Sequence, residues 1–128
     1  MKQFFNSRLK AIRYALSGWW HVIRTQRNAW IHALASLLVI VFGIWLHISR
    51  LEWAILILTI ATVWAAEFFN TAVETMTDMI SPDFHQLAKI SKDVSAAAVL
   101  ITAIASIIIG ILIFADPLLL KLVVMIDH

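Results

Sequence analysis

Residues 51–78 read LEWAILILTIATVWAAEFFNTAVETMTD, and the two halves of this stretch differ sharply in character. Positions 51–66 are apolar except for Glu52, Thr59 and Thr62, a run long enough to carry a helix most of the way across a bilayer. Beyond it, Glu67, Asn70, Glu74 and Asp78 recur at steps of three and four. At 100° per residue these four fall within an arc of roughly 80°, so three carboxylates and an amide share one stripe of one helix. The opposite side carries Phe69, Ala72 and Met76. An acid at the centre of a membrane helix costs about 2.5–3.5 kcal/mol, less toward the interface. Like charges one and two turns apart also repel. Folding has no use for such a stripe, so a cation is expected among these side chains. Hard oxygen ligands in a chain without cysteine point to Mg²⁺ rather than to a transition metal.

Outward from this helix, the pattern predicts an all-α membrane protein. Before it, residues 30–48 form an apolar run broken by His32 and Ser36 and ending near His47. The link Ser49-Arg50-Leu51-Glu52 is short, which makes the first two membrane helices antiparallel neighbours. After it, Ser81-Pro82 stops the helix near Ile80, because proline disfavours helix at the residue before it. Residues 83–93 then read as a polar, partly helical loop. A third membrane helix is expected over 92–114, of which 94–114 carries no charge. Each span approaches the roughly 20 residues that cross a ~30 Å hydrocarbon core. Trp30, Trp45 and Trp53 fall where an interfacial aromatic belt would lie.

Residues 1–28 read differently. Phe5, Leu9, Ile12, Leu16, Trp19, Trp20 and Ile23 mark one helix face, with Lys10, Arg13, Ser17, His21 and Arg24 largely elsewhere. A cationic amphipathic helix of this kind lies in the membrane interface. It is neither a cleavable signal, which would set an apolar core directly after a few charges, nor a nucleic-acid arm, since it adjoins a membrane span. The whole chain of 128 residues is 62% hydrophobic and 14% charged, which excludes an ordinary soluble domain and leaves room for a single one. Lysine and arginine set the orientation: Lys2, Arg8, Lys10, Arg13, Arg24, Arg27, Lys89 and Lys92 on one side, Arg50 and Lys121 on the other. The amino terminus is therefore expected in the cytosol and the carboxyl terminus outside.

Lys92 and Asp93 stand at the cytosolic mouth of the third span. An acid stripe able to hold Mg²⁺, facing a lysine on the ATP-accessible side, suits phosphoryl transfer. One carboxylate can take the proton of an attacking hydroxyl while the metal and lysine offset phosphate charge. With only Gly18, Gly43 and Gly110, widely separated, there is no glycine-rich phosphate loop. A nucleotide site must then be built from helix side chains, and one protomer is small to enclose it, which favours an oligomer. Plainer readings stand beside this one. Asp78 alone reads as a solvated helix end, His32 as a helix contact or a ligand, His85 as either, and His21 and His47 as interfacial. Phe68 and Phe69 read as packing. A proton-coupled transporter using Glu67 as its relay explains a membrane acid but not the stripe with Lys92-Asp93. A structural subunit without catalysis predicts that the acids are freely replaceable.

The run Glu67-x-x-Asn70-Thr-Ala-Val-Glu74-x-x-x-Asp78 resembles the signature of prokaryotic diacylglycerol and undecaprenol kinases. So do Ala88-Lys89-Ile90-Ser91-Lys92-Asp93-Val94 with the small residues after it, Arg13-Tyr14-Ala15-x-x-Gly18, and Thr25-Gln26-Arg27-Asn28-x-x-Ile31-His32. The last two are similar to the undecaprenol branch in particular, and the likeness runs through nearly the whole chain. It implies a bacterial cytoplasmic-membrane lipid kinase, a homotrimer with composite sites, that uses ATP and Mg²⁺. By this resemblance Glu67 is the general base, Asn70 and Asp78 shape the site, and Glu74 is a Mg²⁺ ligand beside the nucleotide. Lys92 and Asp93 meet the nucleotide, with Tyr14, Asp83, Phe84 and His85 at its base and sugar, and Arg8 or Arg13 nearby. Asn28, His32 and Ser95 join Glu67 at the lipid. Gln26 stands where the better-known diacylglycerol kinases carry a second metal-binding glutamate; its oxygen can coordinate, without the negative charge. Undecaprenol is the expected substrate and diacylglycerol the alternative.

Overall fold

A computed structural model describes residues 1–126. Among them the chain forms four α-helices, α1 (Lys2–Thr25), α2 (Arg27–Leu46), α3 (Arg50–Ile80) and α4 (Gln86–Ile126). Helices α2, α3 and α4 are each long and apolar enough to cross a membrane. The break between α1 and α2 falls at Gln26, earlier than the boundary expected at 28–30. Gln26 alone takes an extended conformation, its N–H still bonded to the Val22 carbonyl at 2.9 Å. One extended residue turns the chain, and that turn aims the Gln26 side chain at α3.

The α2–α3 link is tight. His47 closes α2 in the left-handed conformation, and Ser49 caps α3. The Ser49 hydroxyl accepts from the Glu52 N–H at 3.3 Å while the Glu52 carboxylate accepts from the Ser49 N–H at 2.6 Å. Two helix-end N–H groups are thereby satisfied, a cap worth about 1 kcal/mol. At the other end of α3, Pro82 follows Ser81, the last N–H of the helix bonds Thr77, and a short loop leads into α4. There the Leu87 N–H donates to His85 Nδ1, and Lys89 N–H to the His85 carbonyl, so the helix begins at Gln86. Most of the stretch 83–93 expected as loop is thus the first two turns of α4. Helix α4 also runs on past Phe114, through Pro117, to Ile126.

Helix α4 packs most extensively on α3, and α2 touches both. Near the α2–α3 turn, Leu46, Ile48, Leu56 and Ile113 make one buried cluster; toward the opposite end, Val22, Ala29 and Trp64 make a second. Lys121 fastens the far end of α4 by donating to the Trp45 carbonyl at 2.7 Å and lying over its indole ring at 4.6 Å. Along the spans, Thr59, Thr62, Thr71, Thr75 and Ser36 each return a hydroxyl hydrogen bond to the carbonyl four residues earlier, as a medium without water requires. Phe5, Leu9, Ile12 and Leu16 of α1 lie exposed, while Trp19 stacks on Trp64 and Phe68 with ring centroids 4.7 and 4.9 Å apart. Phe68 packs against both tryptophans, in line with its reading as a packing residue.

At Gly43 the Trp53 indole of α3 packs directly on the backbone of α2. A Cβ there would meet Trp53 Cη2 and Cζ2 at 3.0 Å and Ile48 Cδ1 at 3.1 Å. Gly43→Ala gains about 1 kcal/mol in helix propensity but drives a rigid indole, at a cost of about 1–3 kcal/mol. The thermal unfolding midpoint of the detergent-solubilised protein is expected to fall; an unchanged or higher midpoint would show that Trp53 gives way freely.

Candidate active site

Glu67 is fully buried on α3, and neither of its carboxylate oxygens has a hydrogen-bond partner in the protein. His32 of α2 faces it, with Nε2 at 3.7 Å, a ring nitrogen also without a hydrogen bond. Two turns further along α3, Glu74 is held from both sides. Asn70 Nδ2 donates to Glu74 Oε1 and Gln26 Nε2 to Glu74 Oε2, each at 3.0 Å. Asn70 Oδ1 in turn faces the Ser95 hydroxyl of α4 at 2.7 Å, an orientation of the amide set by the Glu74 carboxylate, which can only accept. Ser95 also lies 2.9 Å from the Lys92 carbonyl. The chain of contacts Gln26, Glu74, Asn70, Ser95 therefore ties together the α1–α2 break, α3 and α4.

Two clefts adjoin this chain. One, of about 290 Å³, is lined by Gln26, Asn28, His32, Asn70 and Glu74, with Ala96, Val99 and Leu100 of α4 closing it. The other, of about 420 Å³, lies at the α3–α4 loop, where Asp78, Asp83, Phe84, His85, Lys92 and Asp93 meet. The Lys92–Asp78 ion pair forms part of the wall of this second cleft. A buried carboxylate, an amide-held carboxylate, and a lysine beside an open polar cleft succeed one another along one edge of α3. The sequence of these helices matches a known family: the pattern of prokaryotic diacylglycerol kinase covers residues 13–114.

The chain belongs to the prokaryotic diacylglycerol kinase family. It is 40% identical over 118 residues to the undecaprenol kinase of Bacillus subtilis (strain 168), covering 92% of this chain and 93% of that one. It is also 40% identical over 112 residues to a diacylglycerol kinase of Synechocystis sp. (strain ATCC 27184 / PCC 6803 / Kazusa), 87% of this chain and 64% of that protein. The diacylglycerol kinase of Escherichia coli (strain K12) matches at 32% over 111 residues, 81% of this chain and 85% of its own.

In this family member the expected site residues fall into distinct groups. Gln26, Asn28, His32, Asn70 and Glu74 line the α2–α3–α4 cleft, Glu67 lies 3.7 Å from His32 and Ser95 bonds Asn70, while Asp78 and Lys92 pair in the wall of the loop cleft. Asp83, Phe84 and His85 line the loop cleft, Phe84 with 86% exposure. Tyr14 is 72% exposed on α1, in a surface groove with Gln3, Asn6 and Lys10. Arg8 lies over the Phe4 ring. Asp93 is occupied by Lys89 at 2.7 Å rather than set beside Lys92, a pairing that follows once residues 86–93 are helical and Lys89 and Asp93 stand one turn apart. The reading of 83–93 as loop hid that pair. Trp64, which donates to Ser36 Oγ at 3.2 Å and packs beside His32, gave no signal beyond its bulk.

Magnesium can be tested against this donor set. No group of three His, Cys, Asp or Glu side chains converges among the described residues, so these side chains alone make no complete cage for a metal. Mg²⁺, however, is ordinarily held by one or two carboxylates, with the rest of its shell filled by water and substrate phosphate. Glu74, with the Gln26 side-chain amide against it, offers one carboxylate and one carbonyl oxygen open to a cleft. That fits a metal arriving on its nucleotide.

Proposed function

We propose that this chain transfers the γ-phosphoryl group of ATP, with Mg²⁺, to the hydroxyl of a membrane lipid, undecaprenol before diacylglycerol. Lipid kinase activity is what its family membership implies; the donor, the metal and the lipid are our reading. The observation that carries it is the fully buried, unpartnered Glu67 at the head of a polar cradle that ends in Lys92. A carboxylate kept from water and bonded to nothing is costly unless a ligand uses it.

The lipid enters sideways from the bilayer and brings its hydroxyl to Glu67, near Asn28, His32 and Ser95. Glu67 takes the hydroxyl proton as the oxygen attacks phosphorus. A lipid O–P bond forms, the bond between the γ-phosphorus and its bridging oxygen breaks, and ADP leaves. Asn70 holds Glu74 in place, and Glu74 with Gln26 would hold Mg²⁺. Bound there, the metal would offset charge on the phosphates. Lys92 exchanges Asp78 for a phosphate oxygen, staying charge-paired throughout. Asp83, Phe84, His85 and Asp93 border the nucleotide's outer part, and Tyr14 joins them from α1, by the family likeness rather than by any contact. The apolar face of α1 rests in the cytosolic interface of a bacterial inner membrane, amino terminus inside and carboxyl terminus outside. The exposed apolar faces of the spans are covered by lipid and by the other copies of a homotrimer. Undecaprenol is preferred from the likeness of the amino-terminal motifs, since overall identity is the same for one relative of each name.

Purified protein in detergent, given labelled ATP and Mg²⁺ with each lipid, tests this. Phosphorylated lipid is expected, faster with undecaprenol, and chelation of the metal should stop it. Failure to label either lipid, or full labelling after chelation, would overturn the reading.

A further inference from the structure

The 3.7 Å between His32 Nε2 and Glu67 Oε2 is too long for a hydrogen bond, and both groups are buried without any other partner. It is short enough for one oxygen to sit within ~2.8 Å of each. His32 also lines a second, narrower cavity that runs along α2, α3 and α4 away from Glu74. Its wall there is aliphatic, with Val39, Leu56, Ile60 and Val63, and holds three hydroxyls. Each of these is already committed within its own helix: Ser36 donates to the His32 carbonyl, Thr59 to Ile55 and Ser106 to Ala103. Ser36 Oγ further accepts from Trp64 Nε1.

We propose that His32 shares the acceptor hydroxyl with Glu67, and that the cavity beneath takes the hydrocarbon next to it. In the tautomer with its proton on Nε2, His32 donates to the hydroxyl oxygen while that hydroxyl donates to Glu67. Both orphaned buried groups are then satisfied by one ligand atom. The oxygen's remaining lone pair is left free to attack phosphorus. Because the cavity wall has no free donor, a lipid whose carbonyls follow close on its hydroxyl would bury them unbonded. An alcohol attached to plain hydrocarbon loses nothing there. Discrimination of this kind rests on leaving polar groups unpaired, which is its most effective form. His32 is thus a substrate-binding residue that sets acceptor class.

This inference rests on the phosphoryl-transfer reading, and the test separates the two. The wild-type protein, with Mg²⁺-ATP in micelles, is compared with His32→Leu and His32→Gln on undecaprenol and on dioctanoylglycerol. For His32→Leu, KM for undecaprenol is expected to rise about tenfold, the loss of one ordinary hydrogen bond. Nucleotide affinity stays at the wild-type value, and His32→Gln, whose amide N–H reaches the same place, recovers much of the loss. The wild type should favour undecaprenol over dioctanoylglycerol by tenfold or more in kcat/KM. A second readout avoids the variants: the Nε2 resonance of His32 in isotope-labelled protein should shift when farnesol is added without ATP. Unchanged KM in His32→Leu, a shift that fails to appear, or equal use of the two lipids would overturn the proposal while leaving the kinase reading intact. A wild type that phosphorylates neither lipid removes both.

Discussion

Glu67→Gln is expected to lower lipid phosphorylation by about 10²–10⁴-fold, the usual contribution of a positioned general base. The substitution keeps volume and shape and removes only the ability to accept the hydroxyl's proton. Fold and nucleotide affinity should survive, because Glu67 contributes no hydrogen bond to the packing of α3 against its neighbours. Its backbone carbonyl, which accepts from Thr71 at 2.9 Å, is untouched. A buried carboxylate without partners is a cost borne by the fold, so the glutamine variant is expected to unfold no lower than wild type. Rates and nucleotide binding measured on the same preparation, with a thermal melt, check all three statements. Wild-type turnover in this variant would remove Glu67 from the chemistry.

Glu74→Gln should act on the other end of the cradle and in a different way. Both Glu74 oxygens accept amide hydrogens, from Asn70 and from Gln26, at 3.0 Å. A glutamine there sets an NH₂ against one of those donors, so one bond is lost or an amide turns over. The variant also removes the cradle's negative charge, which the glutamine at position 26 cannot replace. The Mg²⁺ concentration for half-maximal activity is expected to rise by at least about 10–100-fold, the loss typical of groups that merely support a metal ligand. A titration of activity against Mg²⁺ at saturating ATP reads this directly. A superimposable titration would place the metal elsewhere.

Much of this site was legible in one dimension. Residues 67, 70, 74 and 78 share a stripe because an α-helix repeats every 3.6 residues, and α3 runs unbroken past all four. The proline at 82 ended that helix where its geometry says it must. The start of α4 was less legible, because the polarity of residues 86–93 resembles that of a loop. Its helicity is settled by the cap at His85 and by packing on α3.

The sequence alone determined the class of protein, the helices that can cross a bilayer and the face on which the acids lie, because these follow from hydropathy and helical period. Tertiary structure decided which acid meets which partner. That Glu74 is bonded by Gln26 from 48 positions away, Asn70 by Ser95 across a helix pair, and Asp78 by Lys92 depends on where the α1–α2 break and the α3–α4 loop bring separate helices together. It also left Glu67 buried with its carboxylate 3.7 Å from His32. Periodicity fixes angles around one helix axis; distances between helices come from side-chain packing, which no single segment encodes.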